Sequence, residues 1–308
     1  MLRKVVQSVL QNSRVQSLIE SSAIAEATAD QFIAGPHVND AIDAVLSLKA
    51  GGYLATVERL MDLPDDQSAS HSNTLAYLDT VRALAGAGVG KDLDICVQLP
   101  ILGLNLSGGE QVASENLTKV CQAAAEAEMS VTVGLEDSGD VPTTLRIVNS
   151  LVTRFPNLGI TLQSALIRSE QDAAVFGASG ARVRLSKGIA KVSDDAYATN
   201  SDVDKAFVRE LRVLLKSSAY LMIATHDARL IQIGQALALR SGRSKDTFEF
   251  QFYLGLSESE QKRLLQLNHR VRIHVPFGQQ WYSLVSERAA RSPKSLAKAV
   301  SKLIPKRS

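Results

Sequence analysis

The chain has 308 residues, room for one large domain or two ordinary ones, and its 34 Lys plus Arg against 32 Asp plus Glu leave it at +2. That balance argues against a body built as a nucleic-acid clamp or an acidic-substrate trap. With 45% hydrophobic residues, 21% charged residues and 8 prolines, the composition is that of a folded, soluble protein without long disordered linkers.

At the N-terminus, MLRKVVQSVLQNSR carries an apolar run too short and interrupted for a secretory signal and reads as an amphipathic helix, with Val5, Val9 and Leu10 on one face. A further helix is predicted where Ala41, Val45, Leu46 and Leu48 precede Gly51 and Gly52. From residue 53 short apolar or β-branched runs alternate with longer amphipathic stretches. Eight runs have strand length: 53–57, 93–99, 130–135, 159–166, 181–185, 220–225, 247–253 and 271–275. Helices are predicted between them at 73–87, 114–128, 142–154, 202–217, 227–240 and 258–267. Strands separated by helices need crossover connections and hence a parallel sheet, and eight such units in roughly 250 residues fit a closed (βα)8 TIM-type barrel. The apolar character of several runs predicts strands buried on both faces. A doubly wound open sheet is the alternative, but no GxGxxG follows the first run. No stretch approaches the ~20 apolar residues of a membrane span.

In such a barrel the chemistry belongs to strand C-termini, which here carry Gln98, Glu136 with Asp137, Gln163, Arg184 with Lys187, His226 with Asp227, Gln251 with Tyr253, and His274. Arg182, Arg184 and Lys187 precede Gly188, an arrangement suited to a phosphorylated ligand. Lys187 could equally be a Schiff-base lysine if burial lowered its pKa. His226 suits hydrogen bonding better than metal ligation, because His37, His71, His269 and His274 are scattered and none lies at ligand spacing from it. Cys96 and Cys121 form no CxxC or Cys/His pattern, so neither a disulfide framework nor structural zinc is expected, and a reduced cytosolic compartment is. Glu136 and Asp137 read best as a helix cap, together with Asp140 ahead of Thr143. The stretch 293–308 carries Lys294, Lys298, Lys302, Lys306 and Arg307 without an acid, and sets Leu296, Val300 and Leu303 near one face. It reads as a basic amphipathic helix that suits either an anionic bilayer surface or a solvated terminus. The expected organisation is therefore a helical segment at 1–50 packed on the barrel, the barrel at 51–292 and a basic tail at 293–308.

Taken together, ICVQLPILGL, GLEDS, GITLQSALIRSEQD, VRLSKG, IATHDARLI, FEFQFYLGL and VRIHVPFGQQWYSLVSERAARSP resemble, in order and spacing, the flavin-dependent proline dehydrogenases of the monofunctional bacterial type. The resemblance covers nearly the whole chain. It implies FAD at the C-terminal mouth of the barrel, hydride transfer from the carbon beside the proline nitrogen to the flavin, and a quinone as electron acceptor. Independently of the resemblance, the cysteine usage and the basic tail suggest a cytoplasmic protein, with peripheral contact at the inner face of the membrane as a further reading. FAD positions carry over to Leu135, Gln163, Arg184, Lys187, Gly188, Ile189, Thr225, His226 and Glu249, with Arg184 beside the isoalloxazine as the catalytic position. The substrate positions depart from the family. Gln98 stands for a lysine, Gly134 for an aspartate, and Ala190 and His274 for tyrosines; on the last helix Glu287, Arg288 and Arg291 replace an arginine pair and a glutamate. The substrate residues implied here are Gln98, His274, Glu287 and Arg288. Three functions are consistent with this pattern: proline oxidation to pyrroline-5-carboxylate, oxidation of another cyclic or secondary amine, or flavin binding without turnover.

Overall fold

A computed structural model describes residues 31–135, 140–188 and 194–280. Its elements run α1 (Val38–Ala50), β1 (Leu54–Arg59), α2 (Gln67–Gly86), β2 (Asp94–Gln98), α3 (Gly109–Glu126), β3 (Ser130–Gly134), α4 (Val141–Leu151), β4 (Leu158–Gln163), α5 (Ser169–Ala178), β5 (Arg182–Ser186), α6 (Asn200–Lys216), β6 (Tyr220–Ala224), α7 (Ala228–Arg240), β7 (Phe248–Tyr253), α8 (Glu258–Gln266) and β8 (Val271–Phe277). The strands close in sequence order into a parallel barrel, sealed where β1 pairs with β8 from Leu54 opposite Arg272 to Arg59 opposite Phe277. This is the (βα)8 architecture the alternation predicts. The helix at 41–48 is α1, which packs against β1 and β8.

Local chemistry sets where the helices begin. Asp66 accepts from the Ala69 amide at 2.8 Å, Asp140 from Thr143 at 3.1 Å, and Asp227 from Arg229 at 3.0 Å, each satisfying an amide that the first turn leaves without a helical partner. Asp140 thus caps α4 as expected, whereas Glu136 and Asp137 lie outside the described residues.

The strands differ from expectation in one respect that matters for function. Their outward positions are apolar and packed under the helices: Val57, Ile95, Val97, Val131, Ile160, Val183, Leu221, Phe250 and Ile273 are all buried in the core. The alternate, inward positions are mostly polar, Met222 on β6 being a buried apolar exception. They carry Thr56 and Glu58 on β1, Asp94 and Cys96 on β2, Thr132 on β3, Thr161 on β4, Arg184 on β5, Glu249 and Gln251 on β7, and Arg272 and His274 on β8, all buried. The strands are therefore covered on both faces, but the second cover is a packed polar interior rather than the branched aliphatic layers usual for this fold.

A polar interior is stable only if its groups satisfy one another. Near the N-terminal end of the barrel, Arg272 donates through Nε to Glu249 at 2.6 Å and through Nη1 to the Ala55 carbonyl at 2.6 Å. Tyr220 donates to the same carboxylate at 2.7 Å, and the Gln251 amide does so at 2.7 Å. Burial alone would push the Glu249 carboxyl up, but the adjacent Arg272 guanidinium overrides it and holds the group at about 2. One layer higher, Asp94 accepts from Thr56 at 3.0 Å, from Thr132 at 2.8 Å and from Arg184 at 3.1 Å.

Candidate active site

The C-terminal mouth is built on that interior. Arg184, on β5, is buried with its guanidinium spread over three partners: Nε donates to Gln251 at 2.8 Å, Nη2 to Asp94 at 3.1 Å, and Nη1 reaches Cys96 Sγ at 3.4 Å. Burial opposes its charge, yet Cys96 and Asp94 keep its pKa above the ordinary value, so it is a fixed cation in the wall.

Around the mouth the residues fall into two arcs. The first follows β4, β5 and β6. The Gln163 amide donates to the Leu135 carbonyl at 2.6 Å, linking the end of β4 to the residue after β3. Lys187 lies between Asp204 at 2.5 Å and Asp227 at 3.7 Å. Gly188 has φ +67°, and a Cβ there would lie 2.9 Å from Gln163 Oε1, so glycine is required both by its backbone and by the side chain it faces. Thr225 is buried and accepts from the Asp227 amide at 3.2 Å. His226 is exposed, stacks on Tyr253 with ring centroids 5.6 Å apart and 20° between planes, and sits 3.3 Å from Ser257 Oγ. Asp227 caps α7, and its carboxyl lies below the ordinary range because the Leu230 and Arg229 amides and Lys187 outweigh its burial.

The second arc follows β8, β1 and β2. His274 Nε2 lies 2.6 Å from Glu58 Oε2, and the Gln98 amide donates to Glu58 Oε1 at 3.0 Å. Cys96 sits beneath them, its thiol pushed well above the usual range by burial and by the Glu58 charge. Gln98 also fills the space beside Gly134: a Cβ at that glycine would fall 2.5 Å from Gln98 Nε2.

The sequence-derived candidates thus separate. Leu135, Gln163, Lys187, Gly188, Thr225 and His226 lie together along one side of the mouth, Gln98 and His274 along the other, and Arg184 in the wall between them. Glu249 is apart, deeper in the barrel, with its carboxylate engaged by Arg272, Tyr220 and Gln251. Ile189, Ala190, Glu287, Arg288 and Arg291 lie outside the described residues. Sequence reasoning missed Glu58, Asp94 and Cys96 as parts of the site: Glu58 lies just beyond the predicted run 53–57, and Asp94 and Cys96 lie within the run 93–99, of which only Gln98 was read as facing the mouth. Alternation of polar and apolar residues over 56–58 and 94–98 marks each of them as lying on the inward face of its strand, though not as neighbours of one another.

A Gly-limited turn, a fixed guanidinium and side-chain amide and hydroxyl groups on three neighbouring strand ends form a donor set that fits an anionic cofactor with a polar ring system. Among the described residues no helix is long and apolar enough to cross a membrane.

Comparison with known proteins bears on the same barrel. A family model described as proline dehydrogenase matches residues 41–282. "Proline dehydrogenase 2" of Bacillus subtilis (strain 168) is 28% identical over 270 residues, covering 87% of this chain and 88% of that protein. "Proline dehydrogenase" of Deinococcus radiodurans is 29% identical over 298 residues, covering 96% and 95%. Among solved structures, proline utilization A from Bdellovibrio bacteriovorus, inactivated by N-propargylglycine, matches with a TM-score of 0.82 at 18% identity, over 92% of this chain and 34% of that one. This chain therefore spans about a third of that protein, and the likeness shows a shared fold.

Proposed function

The chain belongs to the proline dehydrogenase family and is an oxidoreductase of that kind, and on that premise we propose that it oxidises L-proline to pyrroline-5-carboxylate, slowly, with noncovalently bound FAD and a quinone as electron acceptor. The observation that carries the reading is the unequal retention of the two arcs. The β4–β6 arc keeps the residue types that the family resemblance assigns to the cofactor, while the β8–β1–β2 arc has exchanged them.

FAD, when bound, supplies the two-electron acceptor. Gln163, Gly188, Thr225 and His226 would hold it, with Arg184 as a fixed cation at its ring system and Lys187 as the positive charge at the rim. Because Lys187 lies between Asp204 and Asp227, its charge is shared with two acids and its contribution to a phosphate is reduced.

The substrate side works differently from the family pattern. Glu58, gathered with His274 and Gln98, offers an anion to the ammonium of an amino acid. The carboxylate grip falls to Arg288, with Glu287 in place of its arginine neighbour. A lost charge-assisted hydrogen bond is worth about 1.5 to 3 kcal/mol, and a loosened substrate also loses near-attack geometry, so both affinity and rate fall. The relatives' names favour proline over another amine, and their activity over flavin binding without turnover. The protein is cytosolic, and the basic stretch 293–308 provides peripheral contact with the inner membrane face where the quinone resides.

The test is to denature the purified protein and record flavin absorbance in the filtrate and precipitate. Free FAD in the filtrate is expected, and Arg184→Ala should weaken FAD binding at least about tenfold, the equivalent of one hydrogen bond to a charged group. Flavin retained by the precipitated chain contradicts noncovalent binding, and wild-type affinity in Arg184→Ala contradicts the site.

A further inference from the structure

The β8–β1–β2 arc brings together a carboxylate, a thiol and an imidazole that no local spacing connects. Glu58, Cys96 and His274 are all buried, and their ligand atoms all lie within 4.8 Å of one another. Strand pairing puts them there: Glu58 stands opposite Cys96 across β1 and β2, and His274 opposite Thr56 across β8 and β1. We propose that Glu58 Oε2, Cys96 Sγ and His274 Nε2 form a three-ligand site for a zinc ion inside the barrel mouth.

Chemistry narrows the class of ion. Mixed sulfur, nitrogen and oxygen donors suit a borderline cation such as Zn²⁺, whereas Mg²⁺ and Ca²⁺ take oxygen sets. Bond lengths of about 2.0 to 2.3 Å in a tetrahedral site set ligand atoms about 3.4 Å apart, so the present separations close on an ion with shifts of about an ångström. On binding, the proton shared by His274 Nε2 and Glu58 Oε2 moves to His274 Nδ1 or to solvent, the Cys96 thiol loses its proton to solvent, and zinc forms bonds to Nε2, Oε2 and Sγ. One thiolate and one carboxylate then balance the dication, which leaves no net charge buried.

The surroundings match what such a site needs. Arg184 Nη1, 3.4 Å from Cys96 Sγ, would donate to a metal-bound thiolate, while Asp94, 3.1 Å from Arg184 Nη2, offsets that guanidinium. Gln98 steadies Glu58 through its amide nitrogen at 3.0 Å, yet its carbonyl oxygen is buried without a hydrogen-bond partner among the described residues. The site shares Glu58 and His274 with the substrate side proposed above, so a bound zinc would compete with a substrate ammonium there, and zinc uptake is measured without turnover so that its failure is separate from failure of the oxidoreductase reading.

The experiment is equilibrium dialysis of the full-length protein, stripped with a chelator, against Zn²⁺, followed by elemental analysis and zinc K-edge X-ray absorption. One zinc per chain is expected, with a single sulfur near about 2.3 Å and the remaining scatterers nitrogen or oxygen. Cys96→Ser should remove the sulfur shell, and both Cys96→Ser and His274→Gln should weaken binding at least about tenfold, the lower end for disrupting a metal's surroundings. Cys121→Ser, at a buried thiol elsewhere in the chain, should leave zinc uptake unchanged. Circular dichroism selects the variants that are folded, and His274→Gln decides the matter if Cys96→Ser is not. No saturable uptake by the wild type, zinc without a sulfur neighbour, or wild-type uptake in a folded variant of either ligand would overturn the proposal.

Discussion

Gln98 and Gly134 behave as one unit. The glycine has no positive φ, so its role is spatial: a Cβ there would meet Gln98 Nε2 at 2.5 Å and Oε1 at 2.7 Å. An aspartate at 134 therefore has to drive Gln98 away and break its bond to Glu58. Overpacking of this kind costs about 1 to 3 kcal/mol, and Gly134→Asp alone is expected to fall in that range in urea unfolding. Combining it with Gln98→Lys should cost at least about 1 kcal/mol less than the sum of the single changes, because a lysine can turn towards the new carboxylate. Strictly additive costs would show that the two positions are independent. The same contact would let the lysine and aspartate that the resemblance implies at these positions be exchanged together, a side chain lost at one being filled from the other.

At the scale of elements, α6 docks on the end of β4 through a buried carboxyl. Glu210 is fully buried and hydrogen-bonds to Ser164. Burial raises its carboxyl to about 7, more than the Ser164 bond lowers it. The folded chain therefore holds this proton more tightly than the unfolded one, whose glutamate titrates near about 4.3. The stabilisation is fully present below that pH and is lost as pH rises through 7, amounting to at most about 4 kcal/mol. Glu210→Gln should remove this dependence, so that wild type loses stability relative to the variant between pH 4.5 and pH 8. Parallel melting curves at the two pH values would contradict it. How far elements could be read from residues follows the same physics. Runs such as 220–225 and 247–253 fall on β6 and β7 almost residue for residue because their outward faces are aliphatic or aromatic. Helix α5 was not singled out, since its buried face is Ser169, Asp172, Ala173, Phe176 and Gly177, which carries little apolar periodicity. Helix α2 begins six residues before the predicted 73, at Gln67, because its first turn is set by the Asp66 cap rather than by apolar residues.

For the molecule as a whole, closure of the barrel turns mid-strand polar residues into a site. Gln98, Gln163, Lys187 and His226 were legible because strand ends in this architecture face the mouth. Glu58, Cys96 and Asp94 were not, since their association depends on register across β1, β2 and β8, which no local pattern encodes. The resulting mouth joins the arc proposed to hold the cofactor to the arc proposed to meet the substrate, and the proposal is that such a protein still oxidises proline, though poorly. The most direct test mixes the FAD-loaded protein with millimolar L-proline in the absence of oxygen and follows flavin absorbance with time. Proline-dependent bleaching well below the roughly ten per second of an ordinary enzyme is expected. A flavin that L-proline leaves fully oxidised over hours, or one bleached at tens per second, would contradict it.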